Sequence, residues 1–311
     1  MPGLLTNRAQ FSQHYLDTQL PVLDHFINDG YNYRPDQYPQ FFNVSQMKGS
    51  ISQAAEATGF GQFVSVTEGA NTTYDAIRQG YTKNYVPLTY TLGFRVTHEM
   101  MADDKHGLVS GMATALGRSA KETMEATFAS VYNNAFSGSY LGPDGKSLCA
   151  SDHPLVGGGT QSNLASPAVD LDVSSLEAAC IVFRKWVNDR GLKVRLIPRT
   201  LMVPPDLAYV ATEILKSPMR SDTANNTINA FSNGAQESGM LTPKVYEYLT
   251  DTDAWFLLAD TRDLRIRVKI RESFNTMHDT DFDSRAIKTA GWYRCVAGWD
   301  GEEGVYGSAG A

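Results

Sequence analysis

An α+β fold is predicted, in which an N-terminal arm and a long hairpin stand outside a body built on one long helix. Three observations predict it: strict alternation over Leu88, Tyr90, Leu92, Phe94 and Val96, apolar recurrence every four residues from Leu108 to Phe136, and renewed alternation over Leu264, Ile266, Val268 and Ile270. A period of two marks a half-buried strand, and a four-residue recurrence marks the apolar stripe of a helix. Separate runs of the two periods, with strands returning after the helices, describe an α+β protein whose second region is discontinuous.

The first segment, 1–45, carries Tyr15, Tyr31, Tyr33, Tyr38, Phe41 and Phe42 among Pro21, Pro35 and Pro39, with one short helix expected near Val22 to Ile27. Rings in such number would leave a large apolar surface in water, so this arm is expected to lie on a neighbour. In 46–96 the composition turns to Gly, Ser, Thr, Ala and Gln. Alternation over Phe63-Val64-Ser65-Val66-Thr67, with the strand at Leu88–Val96, predicts two strands flanking a polar tip. A protruding hairpin with free edges is an aggregation hazard unless a partner covers it. Tyr31, Tyr33, Phe41, Phe42, Phe63, Val64 and Val66 are therefore the candidate intersubunit contacts.

In 97–172 the stripe Leu108, Met112, Leu116, Ala120, Met124, Phe128, Tyr132 and Phe136 predicts a helix over Gly107–Ala135, ~40 Å long at about 1.5 Å per residue. Acidic Asp103 and Asp104 suit the dipole at its start. Ser137–Asp172 reads as loop, with a turn at Gly142-Pro143-Asp144-Gly145 and a flexible patch at Gly157–Gly159. In 173–260, Ser174 and Glu177 form a capping box for a helix that turns Leu176, Ala179, Cys180, Phe183 and Val187 inward and ends at Gly191. A strand at Thr200–Val203 leads to a helix opened by Pro205 and stopped by Pro218, with Leu207, Val210, Ala211, Ile214 and Leu215 inward. Met219–Met240 is a polar loop, and strands follow at Val245–Leu249 and Trp255–Ala259. In 261–311 the strands are Leu264–Ile270 and Trp292–Trp299.

With 311 residues, 42% hydrophobic and 20% charged, the chain can bury a sizeable core and is not of disordered composition. No run of 18 apolar residues occurs and Met1–Gln10 lacks a signal pattern, so no membrane partner is expected and the cytoplasm is the expected compartment. Cys149, Cys180 and Cys295 are odd in number and widely spaced, which predicts reduced, buried thiols. A net charge of -7 excludes a protein whose task is to grip nucleic acid, leaving only weak, non-specific contact with DNA. Arg265, Arg267, Lys269 and Arg271 share one strand face. That face is solvated, or it meets DNA or an acidic neighbour, and Arg265, Arg267 and Lys269 join the intersubunit candidates.

Chemistry-bearing motifs are sparse. Ser151-Asp152-His153 invites a hydrolase reading, yet sequence neighbours seldom form a triad and no GxSxG elbow is present. His98-Glu99 lacks the second histidine of a zinc-protease helix, and Gly157–Gly159 lacks the lysine of a phosphate loop. No catalytic, cofactor-binding or metal-ligating residue is assigned.

Several local words carry a resemblance: Gly80-Tyr81-Thr82-Lys83, Tyr90-Thr91-Leu92-Gly93-Phe94, Ser151-Asp152-His153-Pro154-Leu155-Val156-Gly157-Gly158, Arg190-Gly191-Leu192-Lys193 and Leu201-Met202-Val203-Pro204-Pro205. Between about Gly59 and Ser217 the chain resembles the major capsid proteins of tailed bacteriophages with the Hong Kong 97-type fold, in particular the Mu-like major head subunits. The resemblance implies an arm (1–45), an extended loop (46–96), a peripheral domain on a spine helix (97–172, with return strands in 261–311) and an axial domain (173–260). It also implies hexamers and pentamers closing into an icosahedral shell around double-stranded DNA, with portal and decoration proteins as partners and the virion as destination. With the sequence opening at Met1, scaffolding is expected from a separate protein. An encapsulin-type compartment shell is the alternative within the fold, and a hydrolase using His153 the alternative outside it.

Overall fold

The computed structural model describes residues 22–104, 107–219, 229–232 and 241–311. Tyr15 and most of the Met219–Met240 loop lie outside the described residues. Helical residues 22–31 (α1) precede α2 (His98–Ala102), α3 (Leu108–Asn133), α4 (Val173–Lys185) and α5 (Ala208–Lys216). The strands are β1 (Asn43–Gln46), β2 (Ser52–Ala57), β3 (Gln79–Tyr85), β4 (Leu88–Val96), β5 (His153–Pro154) and β6 (Thr160–Gln161). They continue with β7 (Thr200–Val203), β8 (Thr242–Val245), β9 (Trp255–Leu258), β10 (Ile266–Thr280), β11 (Ile287–Trp299) and β12 (Val305–Ser308). Two compact units result: one takes the segment up to Asp36, Pro87–Ala126 and Ile270–Cys295, the other Gln37–Val86, Thr127–Lys269 and Val296–Ala311. Helix α3 and strands β10 and β11 contribute to both.

In the first unit the long helix forms as predicted, but at its start the buried face is Val109, Ala113 and Leu116, while Leu108 of the predicted stripe is exposed. Leu23 and Ile27 of α1 pack with Val109, Ala113 and Leu116 of α3 and with Val96. The two helix backbones touch: a Cβ on Gly117 would stand 2.0 Å from the Ile27 carbonyl oxygen, and one on Gly30 2.1 Å from that of Thr114. Only glycine permits this crossing. Asp104 caps α3, its carboxylate accepting from the N–H groups of Leu108 (2.9 Å) and Val109 (2.8 Å). Strand β4 pairs antiparallel with β11, Val96 opposite Ile287 and Leu88 opposite Cys295. It is an edge strand in the order β1-β10-β11-β4, and Leu88 and Leu92 remain exposed on it.

In the second unit a sheet runs β12-β9-β7-β8, with β7 and β8 parallel and the other pairs antiparallel. Trp255–Leu258 is buried throughout, as suits a central strand covered on both faces. Aromatic rings fill the core here. Phe42 meets Tyr132 edge-on at 5.1 Å, Tyr132 meets Phe256 at 5.3 Å, Tyr38 meets Phe128 at 4.9 Å, and Phe41 lies 4.7 Å from Tyr246. The Tyr132 hydroxyl donates to the Phe41 carbonyl at 2.7 Å. Phe41 and Phe42 are each 1% exposed. The expectation that this end of the arm needs a neighbour is thereby corrected: its rings are covered by their own chain, where ring-on-ring packing buries each fully.

Other expectations shift. Phe63–Thr67 forms no strand; the hairpin ladder is β2 against β3, Ser52 opposite Tyr85 and Ala57 opposite Gln79. The strand at Leu88–Val96 belongs to the sheet instead, because β11 supplies it with nine consecutive partners. The capping box of α4 uses Asp172 and Ser175, since the helix starts at Val173. That helix ends at Lys185, leaving Val187 outside it and Gly191 (φ +77°) in the turn that follows. Val210 faces solvent while Ala211, Ile214 and Leu215 are buried. The strand expected at Val245–Leu249 is Thr242–Val245, and β10, β11 and the unforeseen β12 extend the C-terminal strands.

Candidate assembly surface and the His153 loop

Among the described residues of its unit, the hairpin carries a run of exposed apolar side chains. Thr58 and Arg78 close its ladder through three hydrogen bonds, Thr58 N–H to Arg78 O (2.9 Å), Thr58 Oγ1 to Arg78 O (3.1 Å) and Arg78 N–H to Thr58 Oγ1 (3.0 Å). Beyond them the chain from 59 to 77 has no strand. Phe63 is 100% and Tyr74 92% exposed, and Phe60, Val64, Val66 and Ile77 are exposed with them. One charged tie holds this tip: Asp75 accepts from the Gly61 N–H (2.8 Å) and pairs with Arg190. The Arg190 guanidinium, aided by the Gly61 and Ala76 N–H groups, holds the Asp75 carboxyl down at about 2.

Strand residues that alternate with the buried core fasten the root of the hairpin. Lys269 Nζ donates to Ser52 Oγ (2.6 Å) and lies 4.5 Å from the centre of the Tyr85 ring, a cation–π contact. Tyr85 donates to Asp300 (3.2 Å), whose Oδ1 lies 2.9 Å from Arg267 Nε. Arg265 pairs with Glu303 and with Glu56 of β2, both at 3.0 Å. Burial, partly offset by Arg265, pushes the Glu56 carboxyl up to about 7. The face expected to be solvated, or to meet DNA or an acidic neighbour, is thus corrected for Arg265, Arg267 and Lys269: their partners are acids and hydroxyls of the same chain.

The remaining contact candidates divide. Tyr31 stacks on Phe274 at 4.7 Å and its hydroxyl faces Met124 Sδ, so burial pushes its pKa to about 12. Tyr33 sits at the surface, donating to Glu122 (2.9 Å) with Arg118 over its ring.

The Ser151–Gly158 word folds into a two-residue ladder, β5 against β6, around a glycine turn. Gly157 passes so close to Asp189 that a Cβ would lie 1.8 Å from its carbonyl oxygen, and Gly158 and Gly159 adopt φ of +98° and +91°. These glycines meet conformational demands, and the patch forms a hydrogen-bonded turn. His153 is 1% exposed. Its Nδ1 lies 2.6 Å from Asp144 Oδ2 and its Nε2 3.1 Å from Asn163 Oδ1. Burial opposes its charged form, but the Asp144 bond and the negative charges of Glu302 and Asp144 raise its pKa above the ordinary value. Both ring nitrogens of His153 thus face partners from its own chain. Asp144, Asn163 and Glu302 escaped sequence reasoning; the turn at Gly142-Pro143-Asp144-Gly145 was the only local signal. The three cysteines are buried and free, and burial pushes the Cys295 thiol up to about 12. Among the described residues no helix is long and apolar enough to cross a membrane.

Solved structures share this fold. The virus-like particle from Pyrococcus furiosus matches with a TM-score of 0.56 at 10% identity, covering 94% of this chain and 99% of that one. The capsid of the cyanophage P-SCSP1u matches with a TM-score of 0.56 at 10% identity, covering 89% of each chain. The capsid of bacteriophage JBD30 decorated with minor capsid protein trimers matches with a TM-score of 0.54 at 12% identity, covering 70% of this chain and 92% of that one. No individual curated protein matches in sequence. At such identities these likenesses establish the Hong Kong 97-type fold. The family description "Phage capsid protein" matches residues 80–308, well over half of the chain. With that match and this fold, the chain belongs to the phage capsid protein family, and it is a major capsid protein of the virion shell.

Proposed function

We propose that copies of this chain associate as hexamers and pentamers that close an icosahedral head around double-stranded DNA. The observation that carries this reading is the hairpin: a root fastened by ion pairs presents a tip whose aromatic and aliphatic side chains have no cover among the described residues of their own unit. Apolar area of this kind, at ~25 cal/mol per Å² when buried, favours association with another surface. Tyr33, Phe63, Val64 and Val66 are the seats for a neighbouring copy, and Leu88 and Leu92, exposed on the β4 edge of the first unit, offer further apolar surface. Segment 1–45 acts as arm, 46–96 as extended loop, 97–172 with 261–311 as peripheral domain and 173–260 as axial domain. A separate scaffolding protein, a portal and decoration proteins complete the head, which assembles in the host cytoplasm. Contact with DNA is weak, because net charge is negative and Arg265, Arg267 and Lys269 are engaged internally. The subunit is structural and turns over no substrate. The fold does not by itself separate a phage head from a compartment shell; the family match favours the head.

Negative-stain electron microscopy of the chain expressed alone and with its scaffolding protein tests this reading. Closed shells or hexameric lattices are expected. A monodisperse monomer under both conditions would overturn it.

A further inference from the structure

We propose that Asp144, His153 and Glu302 form a site for a first-row divalent cation that staples the 142–163 loop to the C-terminal turn. Their ligand atoms lie within 4.8 Å of one another. An imidazole and two carboxylates make an N/O donor set suited to Zn²⁺ or Mn²⁺. Enclosed carboxylates need nearby positive charge, and the neighbouring bases are committed elsewhere: Lys146 pairs with Asp152, and Arg265 with Glu303 and Glu56.

Asn163 supplies the independent observation. Its Nδ2 donates to the Leu148 carbonyl (2.8 Å) and its Oδ1 accepts from the Ala150 N–H (2.9 Å), so the amide cannot flip. The oxygen therefore faces His153 Nε2, which must carry a proton, and Nδ1 on the Asp144 side is left as the metal-binding nitrogen. Ligating histidines characteristically donate their other N–H in this way. A second buried group has an unmet need: the Trp299 indole N–H lacks an acceptor, and it shares with Asp144 Oδ1 the space where a Gly142 side chain would stand. Water on an open coordination position would supply that acceptor. Two donors at ~2.1 Å from one ion sit ~3.0 Å apart or more. Loading must therefore widen the 2.6 Å Nδ1–Oδ2 contact by a few tenths of an ångström and release any proton held between them.

The test is made on the full chain, stripped with a chelator and then dialysed against Zn²⁺, Mn²⁺, Mg²⁺ or Ca²⁺. The expected result is one Zn²⁺ or Mn²⁺ per chain by elemental analysis and a melting-temperature rise of roughly 5 °C at 100-fold excess over Kd, with little response to Mg²⁺ or Ca²⁺. His153→Gln and Glu302→Gln should each lower affinity at least tenfold, whereas His278→Gln should not. If those variants fail to fold, Co²⁺ absorption of the wild-type chain decides: N/O ligation supports the site, and a thiolate charge-transfer band refutes it. No bound metal with no thermal shift, or equal binding by a folded His153→Gln chain, also refutes it and leaves the cluster a proton-bridged pair.

Discussion

The arm and the hairpin tip look alike in sequence and end differently. Both carry aromatic rings, and both were expected on a neighbour. Within the first unit, Leu23 and Ile27 sit on α3 at a crossing where Gly30 and Gly117 let two backbones touch. Within the second, Phe41 and Phe42 lock into a ring cluster. Among the described residues of its own unit the tip meets no such receiving surface and is held by the Asp75–Arg190 tie. Aromatic content shows that a segment must be covered; complementary shape, down to glycines at contact points, decides which chain covers it.

Large effects belong to the arm. Phe42→Ala is expected to cost about 3–5 kcal/mol by opening a cavity among Tyr132 and Phe128, and Gly117→Ala about 3 kcal/mol by forcing a Cβ against the Ile27 carbonyl. Urea titration of unassembled subunits measures both. Phe63→Ala, by contrast, should stay within ~0.5 kcal/mol of wild type while abolishing shells in electron micrographs; a large loss of stability there would erase the contrast drawn above.

The hairpin root offers a smaller test through pH. Because burial lifts the Glu56 carboxyl to about 7, the folded chain holds this proton more tightly than the unfolded chain. Stability from this group is therefore full below about 4.5 and declines as pH rises to about 7. Glu56→Gln should gain roughly 1–3 kcal/mol at pH 8 and nothing at pH 4; an equal effect at both would show that ionisation is not the cause.

The smallest effect concerns the tie at the tip. Asp75 is held low, so its contribution is present above about pH 4 and fades towards about 2. Asp75→Asn should speed amide exchange across 59–77 several-fold with little change in melting temperature. Unchanged exchange would mean that the tip is ordered by something other than Arg190.

Legibility followed the range of the interaction. The α3 stripe, the β7 strand and the Pro205 start could be read directly, because periodicity and local chemistry repeat within a few residues. Phe63–Thr67 misled because alternation predicts a strand only where another strand supplies hydrogen bonds, and β2 pairs with β3 below it. Arg265, Arg267 and Lys269 misled because their partners come from β2, β3 and the C-terminal turn, remote in sequence. Around His153, the neighbours Asp144, Asn163 and Glu302 could not be named from spacing.

The sequence by itself determined the class of fold, the long helix, the alternating strands and, through its family words, the shell-building role. These rest on local periodicity and on motifs that are contiguous in the chain. Tertiary structure decided which aromatic segment is core and which is surface, which acid answers each base, and what surrounds His153. Those outcomes depend on long-range packing and charge pairing, in which a residue's environment is made by partners that sequence distance does not reveal.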